Sequence, residues 1–309
     1  MTAPPATSEA GPRRVPAAAE SLFAYGLIGL AGCGLWLVSA WYPARMPAIG
    51  PYEFSWPIYL SVALTALWFR RGLARLPGGV APGPWRQAAF WAGLAVIWIV
   101  TQTGFEYLAQ RMFFTNRLQH VAMHHLGPLL LALSAGGPAV LAGGPGWLRR
   151  LCASRAAAVF MAAVQQPLVA AVLFVGLFWF WLIPPVHFRA MIDPALYRVM
   201  NASMILDGVL FWALVLDTRA SPPARTRFGY RAALAMGVMF PQIVLGALIS
   251  FATTDIFPYY AFCGRFFPTV SAITDQQIGG IVIWIPPAMM SIAGLILVIG
   301  NMRRAGADF

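Results

Sequence analysis

Residues 276–300 read QQIGGIVIWIPPAMMSIAGLILVIG, twenty-five positions without a charged side chain. About 20 apolar residues in a helix suffice to cross the hydrocarbon core of a bilayer, so this run alone predicts a membrane span. Pro286 and Pro287 fall inside it; they would end a helix in water but are tolerated where neighbouring helices re-satisfy the freed backbone groups. Working outward, seven further apolar runs meet the length criterion, over 21–41, 55–70, 86–108, 117–140, 156–182, 196–216 and 228–251, the second being the shortest. Turn-forming clusters divide them, among them Leu76-Pro77-Gly78-Gly79, Gly143-Gly144-Pro145-Gly146, Pro184-Pro185 and Ser221-Pro222-Pro223. The predicted fold class is all-α: a polytopic integral membrane helix bundle of about eight transmembrane helices occupying residues 21–302. A Pro/Ala/Gly-rich tail over 1–20, too poor in large apolar residues to order itself, precedes it, and a short tail over 303–309 follows.

Composition agrees. Of the 309 residues 60% are hydrophobic and 10% are charged, whereas a soluble domain carries roughly a quarter charged residues. The net charge is +11, and all 21 basic residues are arginine. An excess of that size suggests nucleic acid, but these arginines lie in short clusters between apolar runs and form no basic stripe, so no nucleic-acid partner is expected. Sorted by loop they alternate. Arg13 and Arg14, Arg70, Arg71, Arg75 and Arg86, Arg149, Arg150 and Arg155, Arg219, Arg225, Arg227 and Arg231, and Arg303 and Arg304 make fifteen on one side. Arg45, Arg111, Arg117, Arg189, Arg198 and Arg265 make six on the other. Cytoplasmic loops carry the excess, so both termini are expected in the cytoplasm. Cys33, Cys152 and Cys263 are far apart and fit neither a disulfide framework nor a zinc module.

This orientation places every histidine toward the outer leaflet: His120, His124 and His125 in the fourth run and His187 after the fifth. Glu106, Asn116, Gln119, Asn201, Asp207, Asp255, Asp275, Gln276 and Gln277 share that half. Polar side chains are costly in hydrocarbon and face a bundle interior, a cavity or a partner, so a convergent outer site is expected. Asn116, His120 and His124 are four residues apart and stack on one face of an ideal helix, flanked by Met123. Two imidazoles at that spacing supply two nitrogen ligands to one transition metal, and a thioether adds softness suited to Cu(I). His120, His124, Met123 and His187 are therefore the candidate metal ligands. Met112, Met191, Met200, Met204 and Cys263, near the ends of runs, are further soft donors. Asn116, Gln119, Asp207, Asp275 and Gln276 are candidates for orienting those ligands or for docking a partner. Asp275 also has an alternative reading as a helix N-terminal cap.

Several of these residues lie in segments with a family pattern. Arg117-Leu-Gln-His120, Gly127-Pro-Leu-Leu-Leu-Ala-Leu-Ser and Gly137-Pro138 resemble the His-Met-x-Gln-His, Pro-Leu-Leu and Gly-x-Pro signature of the CtaG-type cytochrome c oxidase assembly factors, associated with caa-type oxidases. Asp207-Gly-Val-Leu-Phe-Trp212 resembles the Gly-x-x-Phe-Trp helix of that family. Asp275-Gln276-Gln277-Ile-Gly279-Gly280-Ile-Val-Ile-Trp284 is similar to its Asp-Gln-x-x-Gly-Gly-x-x-x-Trp motif. The order is kept from about Tyr59 to Gly300. Asn116 occupies the place of the family's first His, and the His pair ahead of the Gly-x-x-Phe-Trp helix is replaced around Asn201 to Met204.

The resemblance implies a non-enzymatic maturation factor in the bacterial inner membrane. It would bind Cu(I) transiently on the outer face and pass it to a cytochrome c oxidase subunit, with a periplasmic copper chaperone as a further partner. Other classes remain open at this point: a scaffold that holds an oxidase subunit without metal, or a haem-handling membrane protein. The second needs axial histidines opposed across a cavity, and three of the four histidines here share one run.

Overall fold

The computed structural model describes residues 17–77 and 80–306. Most of the expected N-terminal tail, and residues 307–309, lie outside the described residues. Every regular element among the described residues is helical. In chain order these are α1 (Ala17–Trp41), α2 (Trp56–Arg75), α3 (Pro84–Thr101), α4 (Phe105–Arg111) and α5 (Phe113–Val121), then α6 (Gly127–Ser134), α7 (Gly137–Gly143), α8 (Gly146–Cys152), α9 (Arg155–Val164) and α10 (Pro167–Phe180). They are followed by α11 (Pro184–Ile192), α12 (Pro194–Val215), α13 (Phe228–Gly237), α14 (Met239–Ser250), α15 (Tyr259–Phe262) and α16 (Ala272–Arg304).

Four stretches are single helices long and apolar enough to cross a bilayer: Leu22–Trp41, Pro194–Val215, Phe228–Ser250 and Ala272–Arg304. Three more are bent pairs. α3 and α4 meet at 53°, Phe113–Ser134 and α7 at 75°, and α9 and α10 at 70°. Among the described residues the span count is thus four to seven on length and apolarity, against about eight read from the sequence. The 55–70 run appears as α2, 20 residues long, but its Arg70 and Arg71 reduce its apolarity and it is not among the spans. The chain is a multi-pass membrane protein. Its large apolar side chains accordingly point outward along whole helices, as do Leu30, Leu168, Leu206 and Ile296, since lipid offers no penalty for exposing them.

The bends have local causes. In the 156–182 run, predicted as continuous, Pro167 cannot donate a backbone N–H and biases the residue before it away from helix. Gln166 turns outward there, and its Oε1 accepts from the Val169 amide at 2.7 Å as the cap of α10. At the end of α6, Ala135 takes left-handed geometry (φ 48°), and Ser134 Oγ accepts from the Gly136 amide at 3.0 Å. α16 continues through Pro286 and Pro287 and packs along α14, α5 and α13 as the backbone of the bundle. The interior it faces holds Phe113, Met123, Met200, Met204, Tyr197 and Tyr260, all buried.

Candidate functional site

α5 does not run directly into α6. Ala122–Leu126, the sequence AMHHL, forms a π-helical turn between them, closed by the Gly127 amide on the Ala122 carbonyl. Single π turns inside longer helices recur at functional sites. This one holds both His124 and His125, so the one-face stacking predicted for Asn116, His120 and His124 applies within α5 but is altered beyond it: the wider turn rotates His124 and His125 relative to His120. α12 approaches the turn very closely. Gly208 lies against the His124 carbonyl, where a Cβ would overlap the backbone oxygen.

Each imidazole of the turn is fixed from one side. His124 Nε2 is 3.1 Å from Asp207 Oδ2 on α12. His125 Nε2 is 3.1 Å from Gln242 Oε1 on α14. Phe174 of α10 stacks on the His124 ring at a centroid distance of 4.1 Å and meets His125 edge-on at 5.0 Å. With both Nε2 atoms donating to oxygen, the Nδ1 lone pairs are left, and neither Nδ1 has a hydrogen-bond partner. Asp207 thus meets the His124 ring from α12.

His120, on α5, differs. It is buried and neither ring nitrogen has a partner; Arg117, His187 and His124 are the ionisable groups close enough to act on it. Its neighbour Arg117 is also fully buried, lying over the Phe113 ring at 5.0 Å, with Nη2 bonded to Asn116 Oδ1 and Nε and Nη1 unpartnered. Asn116 Nδ2 reaches Met191 Sδ at 3.8 Å. Gln119 is a brace: Nε2 donates to the Val100 carbonyl at 2.7 Å and Oε1 accepts from the Tyr197 hydroxyl at 2.9 Å.

His187 has both nitrogens engaged. Nδ1 is 3.3 Å from the Trp181 carbonyl and Nε2 is 3.0 Å from the Tyr260 hydroxyl. Burial holds the Tyr260 phenol well above its ordinary range, which keeps it an O–H donor to Nε2 while Nδ1–H donates to Trp181. Phe113 and Phe257 wall the ring.

Asp275 and Gln276 join elements and touch no histidine. Asp275, fully buried, accepts from the Phe113 amide at 3.0 Å and the Phe114 amide at 2.8 Å, and pairs with Arg265. It is a cap, as one of the two sequence readings had it, yet for α5 and not for its own helix; Ser271 caps α16. Gln276 accepts from the Ile256 amide at 2.8 Å and donates to the Thr254 carbonyl at 3.1 Å, pinning the 251–258 loop. Gly279 lies against the Phe113 ring and gives α16 its close approach to α5.

Among the described residues no group of three or more His, Cys, Asp and Glu side chains is arranged to hold a metal ion. A soft monovalent ion asks for less. Two imidazole nitrogens with lone pairs free, each with its other nitrogen tied to an oxygen, form the donor pattern of metal-ligating histidines, and the thioethers of Met123, Met200 and Met204 are buried in a core cluster with Phe178, whose ring lies 5.6 Å from that of His124. The donor chemistry fits Cu(I). The sequence reading missed Gln242, Tyr260 and Tyr197 as supports, because single polar residues in apolar runs give no periodic signal. It also counted Arg117 as a loop arginine, although its position three residues before His120 already placed it on the same helix.

The family model for the cytochrome c oxidase caa3 assembly factors (Caa3_CtaG) matches residues 63–305. The chain belongs to that family. No curated protein and no solved structure matches it. In this caa3 assembly factor the matched region contains the π turn, both braces of its histidines and the Asp275 cap, and begins within α2. Its oxidase partner and its place in lipid follow from the membership.

Proposed function

We propose that this assembly factor takes up Cu(I) at the π turn on the outer face of a bacterial inner membrane and releases it to a subunit of a haem-copper oxidase, receiving it from a periplasmic copper chaperone. The observation that carries the reading is the pair of unpartnered Nδ1 atoms on His124 and His125, each held in place through Nε2 by Asp207 or Gln242. Neutral imidazole and thioether hold a soft cation without building charge, and the lack of thiolate ligands keeps the ion exchangeable. Met123 is the nearest thioether in sequence. His120, beside Arg117, is the less favourable ligand for a cation. His187, with both nitrogens engaged, supports Tyr260 and the Phe113 wall.

The orientation rests on the alternation of the arginines, which requires α2, 20 residues long, to cross the bilayer as an eighth span. Copper analysis of the purified protein tests the function: wild type retains substoichiometric to stoichiometric Cu(I), and a His124→Ala/His125→Ala variant loses it. Equal, negligible copper in both ends the binding claim and leaves the scaffold reading. In a deletion strain, recovery of oxidase activity on adding copper supports delivery.

A further inference from the structure

Arg117 is a permanent cation inside the bundle, and nothing of opposite charge meets it. Its Nε and Nη1 have no partner, and among the described residues no carboxylate is within ion-pair distance. Tyr260, whose hydroxyl is within hydrogen-bonding reach of the guanidinium, Tyr197 and the His120 and His187 rings are the ionisable groups that face it. Asp275, the acid associated with the same helix, is already committed to the Phe113 and Phe114 amides and to Arg265. A guanidinium does not shed its proton in a protein, and a buried charge without a partner is strongly destabilising. His120, three residues on and therefore on the same side of α5, adds a second fully buried group with no partner on either nitrogen. Its neutral ring carries one N–H.

Three of the four unsatisfied nitrogens on α5 are thus donors around one fixed positive charge, the fourth being the lone pair of the His120 ring. Those on the π turn are lone pairs beside a carboxylate, the reverse polarity within a few residues. We propose that Arg117 and His120 form a binding site for a small monovalent anion, a halide or a carboxylate of formate size. Arg117 Nε–H and Nη1–H and the His120 N–H donate to it. One charge matches one guanidinium; a divalent oxyanion would leave a net negative charge in a low-dielectric interior. Small size follows from the enclosure: Arg117, His120, His187 and Tyr260 are all fully buried, and Phe113 covers the guanidinium face. The site is distinct from the Cu(I) donors on the π turn and needs no copper to form.

The test uses the copper-free, full-length protein in detergent at constant ionic strength, with potassium chloride or potassium formate replacing potassium gluconate, whose anion is too bulky for the site. A ligand that binds only the folded state raises the unfolding temperature in proportion to the logarithm of its concentration once above Kd. Wild type should show that rise with chloride and formate. Arg117→Met should be flat, and Arg225→Gln, at an exposed arginine, should keep the wild-type slope. A flat response in wild type, or an unchanged slope in Arg117→Met, overturns the proposal. Should Arg117→Met fail to fold, bromide-soaked crystals of the wild type decide: an anomalous peak beside Arg117 supports the site, and its absence removes it. Copper content plays no part in either readout, so this result and the copper analysis stand or fall separately.

Discussion

Two acids, Asp207 half-buried and Asp275 fully buried, illustrate how similar side chains are put to different uses. Asp207 faces an imidazole, whereas Asp275 faces two backbone amides and an arginine. Removing an acceptor behind a metal-ligating histidine typically costs 10–100-fold in metal affinity. Asp207→Ala, which leaves His124 Nε2 without that acceptor, should weaken Cu(I) retention by about that factor, read by competition against a Cu(I) chelator, with little change in unfolding temperature. Asp275→Ala should behave in the opposite way. It strands two helix-start amides and leaves Arg265 only its pairing with Asp255 at 3.7 Å, costing about 1–3 kcal/mol, while leaving the affinity of the π turn for Cu(I) within a few-fold. Thermal unfolding alongside the same chelator titration separates the two. The sequence exposed both acids as anomalies in apolar runs, and Asp207 as the harder to dismiss. It could not say which residue Asp275 would cap, because that contact links positions more than 160 residues apart.

At the level of elements, hydrophobic run length located nearly every helix but not its bends. The 156–182 run is two helices, and the 117–140 run is broken at Ala135. In the first, Gln165-Gln166-Pro167 was a legible stop signal overridden in the reading by the apolar residues on both sides. In the second, an alanine with positive φ carries no sequence signal. The π turn was equally hidden, since AMHHL has nothing that marks a widened turn; its position is set by packing against α12. Gly208 is the point of that packing. Gly208→Ala places a methyl group against the His124 carbonyl and should destabilise the protein by about 1–3 kcal/mol, as overpacked cores do. It should also lower copper retention, because α12 can only move away by taking Asp207 with it. A variant that loses stability and keeps wild-type copper affinity would show that the turn does not depend on this contact.

For the molecule as a whole, the arginine alternation is sharpened by burial. Arg117 and Arg231 alone among the described arginines are buried inside the bundle, Arg231 over the Phe228 ring with its guanidinium on the Asp217 carbonyl, so neither is a surface charge that reports on sidedness. Leaving them out changes fifteen against six to fourteen against five. Cysteine accessibility tests the resulting orientation. Cys152 is exposed beside Arg149 and Arg150, and Cys263 is partly exposed at the end bearing Arg265. In single-cysteine variants, a membrane-impermeant thiol reagent added to spheroplasts should label Cys263, and should label Cys152 only after permeabilisation. The inverse pattern would place the histidines in the cytoplasm and remove the periplasmic route for copper.

The link from Asp275 to the first amides of α5 also dictates an order of events during synthesis. Chains emerge from the ribosome N-terminal end first, so α5 and its π turn enter the bilayer while the residue that completes α5 is still untranslated. A chain stopped before residue 275 would retain most of its apolar helices and look well inserted, yet α5 would begin with unbonded amides. Synthesis as far as α16 is therefore what sets α5, and the histidines that follow it, on a settled frame.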